Sequence, residues 1–178
     1  MTSISNEYVN KKTTLFIVIT QTIMVAWSVG SSVMGSGPTS AYIITIGSFI
    51  VYVAYSLITK NQLLIKLLLF GLVAGILELW ADHYSVATIK TLIYPPGEDI
   101  IVSSPTYMPF SWCIALTQLG YYSLLLVRWK GMGLAMLIMA VSGGFYIPLY
   151  EHLAKHADWW YYQNCSMIFN APYYIIIC

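Results

Sequence analysis

The chain has 178 residues, of which 58% are hydrophobic and 8% charged, with a net charge of +1 and a mean hydropathy of +0.71. A soluble domain carries roughly a quarter of its residues charged, so the composition speaks against a water-soluble fold. The near-neutral balance leaves no basic patch for nucleic acid. Repeated apolar runs of about 20 residues are what a hydrocarbon core of roughly 30 Å requires, and they predict an all-α, polytopic transmembrane helical bundle.

Residues 1–12 form a polar tail that ends in Lys11-Lys12, and the first span is predicted over 13–34, carrying Gln21 and Trp27. A signal peptide is the alternative there, because Gly30, Ser31, Ser32 and Gly35 put small residues near a cleavage point; the length of the run suits a retained helix. Gly35 to Ser40 reads as a turn by its glycines and Pro38, and 41–58 is the second span, with Tyr42, Tyr52 and Tyr55 in it. Lys60-Asn61-Gln62 marks the next interface before a third span over 63–80, where Lys66 is close enough to the start to snorkel.

Residues 85–108 are the longest polar connection; Thr88–Tyr94 and Ile100–Ser103 flank Pro95-Pro96-Gly97-Glu98-Asp99, a pattern that predicts a short β-hairpin or a re-entrant flap. The fourth span, 109–127, has Pro109 in its first turn, where a missing N–H is harmless. Arg128-Trp129-Lys130 closes it, and the fifth span over 132–150 carries Gly143, Gly144 and Pro148, which bend or thin a helix. Glu151–Gln163 reads as interfacial, and 164–178 as a short sixth apolar helix, under-length for a span and interrupted by Pro172. All of this belongs to a single integral membrane domain, 1–178, with no long-period repeat on inspection.

The positive-inside rule sets the orientation. Alternate ends of the spans carry Lys11, Lys12, Lys60, Lys66, Arg128 and Lys130, whereas the opposite ends carry only Lys90 and Lys155. A multi-pass protein of the cell membrane with a cytoplasmic N-terminus is therefore expected. Glu78, Asp82 and His83 then end the third span on the non-cytoplasmic side, and Glu151, His152 and His156 follow the fifth span in the same layer.

Ionisable groups at membrane depth are costly, which makes these the candidate functional residues. Glu78 and Asp82 are four apart and share one helix face if the helix continues. Two carboxyls beside an apolar cavity do not both ionise cheaply, so one is a candidate general acid and its neighbour a stabiliser or base. The bland reading is that both simply meet headgroups and water.

Glu151 pairs on paper with Lys155 at i,i+4. His152 and His156 have the same spacing, which with His83 makes a metal site arithmetically available. The chain has only three histidines, and no metal and no cofactor is the expectation.

Trp159-Trp160-Tyr161-Tyr162 reads as an aromatic belt at the headgroups, or, with Trp80, Tyr84, Tyr107 and Trp112, as the lining of a cavity that stabilises a cation. Cys113, Cys165 and Cys178 lack any CxxC or zinc spacing and read as packing residues. No GxSxG, HExxH, Walker A or dinucleotide fingerprint occurs, nor an aspartate-rich diphosphate motif.

Glu78-Leu-Trp-Ala-Asp82-His83-Tyr84, Tyr94-Pro-Pro-Gly97, Ser104-Pro-Thr-Tyr-Met-Pro-Phe-Ser-Trp112, Pro148-Leu-Tyr-Glu151 and Trp159-Trp-Tyr-Tyr162 to Pro172-Tyr-Tyr174 resemble a family of small bacterial polytopic membrane proteins of unassigned function. The likeness covers roughly residues 70–178. The layout is also loosely similar to the membrane carotenoid hydratases: a helix-ending Glu, a Pro-rich entry to a Trp-bearing helix, and a later tryptophan pair before a proline. That similarity carries over Glu78, Trp112, Trp159 and Pro172; the Gly-rich loop and the later Asp-x-Pro of those enzymes are not matched.

Two functions follow as expectations. One is an enzyme on a lipid-soluble isoprenoid, where Glu78 protonates an alkene, Asp82 or Glu151 tunes it or activates water, and Trp80, His83, Tyr107, Trp112, His152 and Trp159 hold the substrate through hydration or cyclisation. The other is a protein without chemistry that binds a lipid or a partner. Membrane lipid and a lipid-soluble small molecule are the expected partners, and oligomeric state is not legible.

Overall fold

The computed structural model describes residues 9–177. Its helices are α1 (Lys11–Met34), α2 (Pro38–Ile58), α3 (Gln62–His83, extended by a π-helical turn over Tyr84–Thr88), α4 (Met108–Lys130), α5 (Met132–His156) and the short α6 (Tyr173–Ile177). Five of these are long and apolar enough to cross a membrane, and the chain is a multi-pass membrane protein. The helices alternate in direction, so the bundle has two unlike ends. At the turn end α2 passes to α3 through Thr59–Asn61 and α4 to α5 through Gly131 alone. At the cap end lie residues 84–107 and 157–177.

Local chemistry explains where helices start and stop. Asn10 and Asn61 cap α1 and α3, their side-chain oxygens accepting from the backbone N–H of Thr13 (2.9 Å) and Leu64 (3.2 Å). Gly35, at φ +57°, closes α1 in the left-handed conformation that favours glycine, and Pro38 opens α2, where its missing N–H costs nothing.

Several boundaries depart from the sequence expectation: α2 begins at Pro38, within the expected turn, and α3 with its π-helical turn runs to Thr88 rather than 80. The helix over 132–150 runs on to His156. Hydropathy marks where lipid ends, not where the helix ends, and Lys155 and His156 sit favourably at the negative end of the helix dipole. The expected sixth apolar helix over 164–178 is a β-hairpin followed by the five-residue α6. Pro172 is taken up as the last residue of the second strand of that hairpin, where its missing N–H is less costly than inside a helix, and the helix begins directly after it.

Three antiparallel pairs of two-residue strands build the cap. β1 (Leu92–Ile93) pairs with β4 (Tyr161–Tyr162), β2 (Ile100–Ile101) with β3 (Ser104–Pro105), and β5 (Met167–Ile168) with β6 (Ala171–Pro172). A hairpin does lie within 85–108, but Thr88–Tyr94 is not one of its strands. Pro95-Pro96 offers no N–H for a ladder, and β1 finds its partner some 70 residues on, Leu92 facing Tyr162 and Ile93 facing Tyr161.

The helices close around α4, which packs against α2, α3 and α5. Its tightest seam is with α3. The buried stripe of α3 is Leu64, Leu68, Gly71, Gly75, Leu79 and Asp82, steps of three and four that keep one face on α4. A Cβ added at Gly71 would stand 2.6 Å from the Cys113 carbonyl, and one at Gly75 would collide with the Pro109 carbonyl. Small residues at this spacing let two membrane helices approach backbone to backbone.

Deeper in the bundle Gln118 donates to the Tyr52 hydroxyl (2.9 Å), which bonds Thr20 (2.7 Å), so polar side chains in the lipid layer satisfy one another. Cys113 is buried, Cys165 half-buried, and both are free thiols; Cys178 lies outside the described residues.

A candidate site under the cap

The seam between α3 and α4 delivers Asp82 to the cap end as its last buried position. There one carboxylate oxygen accepts from the Tyr94 hydroxyl (2.7 Å) and the Ser104 hydroxyl (2.8 Å). One residue on, His83 Nδ1 bonds the Ser103 hydroxyl at 2.8 Å. The turn of the β2–β3 hairpin is thus tied to the end of α3.

Glu151, on α5, is half-buried and accepts from the Trp160 indole N–H at 2.6 Å. Glu78, one helical turn below Asp82, is also half-buried but makes no hydrogen bond to another described residue. Among the described residues no ion pair neutralises any of the three. The expected Glu151–Lys155 pair does not form: Lys155 donates instead to Asn170 (3.0 Å), and the Glu151 carboxylate is taken by Trp160.

Tyr162 brings the two halves together. It is half-buried, and burial, followed by the charges of Glu151, Asp82 and Glu78, holds its phenol pKa well above the usual range. Tyr94 is pushed up likewise, by burial first and then by the Asp82 carboxylate that it bonds. Around them Tyr107, Trp159 and Trp160 are 1%, 1% and 5% exposed. Trp159 is anchored to α2 through a 2.7 Å bond from its indole N–H to the Ser40 hydroxyl. An aromatic belt would face lipid headgroups, so Trp159 and Trp160 are cluster residues, and only Tyr161 of that run is exposed.

Other expected site residues are placed differently. Trp80 is 67% exposed on the outer face of α3, because two residues of helix turn it about 200° from Glu78. Trp112 is 37% exposed. His152 bonds Asn170 (2.8 Å) through Nδ1, and His156 Nδ1 meets the His152 carbonyl at 2.8 Å. Neither ring joins His83, and among the described residues no three His, Cys, Asp or Glu side chains are gathered to hold a metal ion.

Sequence reasoning missed Tyr94 and Ser104 as site residues, whose importance lies in contacts across the cap, and it had Trp160 and Tyr162 only within an aromatic run open to two readings. It also missed Glu98, whose two carboxyl oxygens are buried without a partner, as is the hydroxyl of Tyr107. Burial raises the Glu98 pKa to about 7; burial likewise pushes up the Tyr107 phenol, with the charge of Glu98 the next largest cause.

Two clefts open on the surface. One of about 290 Å³ lies at the cap end, between the start of α2 (Pro38, Thr39, Tyr42) and Gly97-Glu98-Asp99. The other, of about 500 Å³, lies at the turn end beside Asn10, Thr13, Tyr55 and Asn61, remote from the carboxyls, and its polar lining belongs to the helix caps.

A family described as a domain of unknown function (DUF6989) matches residues 79–178, which takes in the end of α3, the whole cap, α4 and α5. No curated protein and no solved structure matches the chain.

Proposed function

The chain belongs to the DUF6989 family, which has no assigned activity, and from that premise we propose that it is a cell-membrane enzyme that protonates a lipid-soluble isoprenoid at its cap end. The observation that carries this reading is the isolation of Glu78. Asp82 and Glu151 are engaged by hydroxyl and indole donors, whereas Glu78 sits half-buried on the same layer with no partner among the described residues. A carboxyl without a partner is free to donate to a bound molecule, the role a general acid requires.

In this proposal Glu78 gives that proton to an alkene carbon, and the cation that forms lies against the aromatic cluster. Water then adds at the cation and returns a proton to a carboxylate, which is hydration, or a second double bond closes on the cation before a proton is lost, which is cyclisation. The substrate class is carried over from the layout read in the sequence alone, since no curated protein matches the chain, and the count of lysines and arginines at the two ends supports a cytoplasmic N-terminus. Glu78→Gln, purified to the same yield as wild type and assayed in membranes with extracted isoprenoids, is expected to form no product; turnover by that variant would remove Glu78 from the role.

A second reading draws on the same contacts. Asp82 and Glu151 hold loop residues to helix ends, which is what carboxyls do in a cap that only binds. Under that reading a lipid occupies the cap end, Glu78→Gln alters its retention, and no product forms with either protein.

A further inference from the structure

The two ends of the cap repeat one another. Glu78-Leu-Trp-Ala81-Asp-His83 ends α3, and Glu151-His-Leu-Ala154-Lys-His156 ends α5. The agreement resumes in the hairpins, where Ile101, Pro105 and Tyr107 correspond to Ile168, Pro172 and Tyr174. The copies stand 73 residues apart in the helical motif and 67 apart in the hairpin, so the shorter connecting loop of the second copy hides the period from a fixed-offset search.

The structure agrees beyond the letters. Both hairpins consist of two two-residue strands with identical register relative to their proline, Ile100 facing Pro105 and Met167 facing Pro172. Both turns begin with an apolar residue in the left-handed region, Val102 at φ +62° and Phe169 at φ +53°, a conformation uncommon outside glycine. Both second strands are wholly buried, and each leads into a helix. β3 packs on α3 as β6 packs on α5.

In each copy the hairpin bonds the fourth residue after the glutamate: Ser104 donates to Asp82 (2.8 Å), and Asn170 accepts from Lys155 (3.0 Å). β1 from the first copy and β4 from the second pair antiparallel, as a two-fold axis between them requires. α3 and α5 run in the same direction, which makes this a parallel repeat.

We infer that residues 78–107 and 151–174 are two copies of one unit about a local two-fold axis, and that Glu78 and Glu151 hold its equivalent positions. Where the copies differ, the cap is polarised: the fourth position is acidic in the first (Asp82) and basic in the second (Lys155).

The equivalence is tested by rescue. Asp82→Lys loses the Ser104 and Tyr94 bonds and is expected to lower the thermal midpoint by several degrees. Adding Ser103→Asn and Ser104→Ala installs the turn that a lysine meets in the second copy, and at least half of the loss is expected to return. No recovery, or the same recovery from Ser103→Ala with Ser104→Ala, would overturn it.

Should Asp82→Lys not fold, the mirror exchange decides: Lys155→Asp loses the Asn170 bond and is expected to lower the thermal midpoint, and adding Asn170→Ser with Ala171→Ser is expected to return at least half of the loss. No loss, or no recovery, would overturn the equivalence. Neither measurement needs a substrate, so the repeat and the enzymatic reading fail separately.

Discussion

The two ends of the bundle solve the same problem, how to finish helices that leave a membrane, by opposite means. At the turn end each connection is three residues or one, closed by single-residue devices: Asn10, Asn61 and Gly131. Its charges are Lys11, Lys12, Lys60, Lys66, Arg128 and Lys130. At the cap end three strand pairs, a π-helical turn and an aromatic cluster replace the simple caps, and Glu78, Asp82, Glu98 and Glu151 collect there. Joining helices needs only what the turn end has. The extra chain at the cap end encloses polar groups that a mere connection would leave in water, and that excess is why the proposed function is placed there.

The seam beneath the cap gives the largest expected effect. Gly75→Leu drives a side chain into the Pro109 carbonyl and separates α3 from α4 just below Asp82, a loss of about 3 kcal/mol or more. Size-exclusion in mild detergent should show aggregated or unfolded protein. Gly47→Leu, where an added Cβ meets nothing within 4 Å, should run as wild type. A monodisperse Gly75→Leu would mean that the cap does not depend on the seam.

Next come the two polar anchors, one from each end. Asp82→Ala strands the donors of Tyr94 and Ser104 and should cost about 2 kcal/mol, whereas Asn10→Ala, exposed at the start of α1, removes its helix cap and should cost about 1 kcal/mol. Urea or thermal unfolding would rank them, and the reverse order would erase the distinction between the ends.

The smallest effect is set by pH. Glu98 is raised by burial from 4.5 to about 7, so the folded protein binds a proton that the unfolded chain has released. The stabilisation is complete below about 4.5, declines as pH rises, and is gone above about 7. The thermal midpoint should therefore drift down between pH 5 and 8 in wild type and drift less in Glu98→Gln; equal slopes would exclude Glu98 as the cause.

Much of the fold was legible because hydrocarbon thickness constrains sequence so strongly. The five apolar runs locate the five long helices to within a few residues at most ends, and the gathering of Glu78, Asp82 and Glu151 in one layer follows from counting spans. What the sequence hid depends on contacts between distant segments. Leu92–Ile93 and Tyr161–Tyr162 carry nothing local that says they pair, and a proline pair beside a hydrophobic strand imitates a hairpin turn.

Trp80 looked like a site residue because it adjoins Glu78 in sequence, yet helical geometry sends it to the opposite face. Trp159 and Trp160 are open on sequence alone between a headgroup belt and a cavity lining; the hydroxyl of Ser40 and the carboxylate of Glu151 hold their indole N–H groups inside. The repeat escaped notice because its longest stretch of agreement is a few scattered residues, and only matching strand registers make those letters count.

The central claim is that the cap end receives a lipid-soluble molecule at Glu78. Mass spectrometry of organic-solvent extracts from gently purified native protein tests it most directly, with Glu78→Gln/Glu151→Gln prepared in parallel. An isoprenoid or carotenoid that accompanies the native protein, and is absent from the double variant or differs there by the mass of one water, is the predicted result. Ordinary phospholipid alone in both preparations would contradict it.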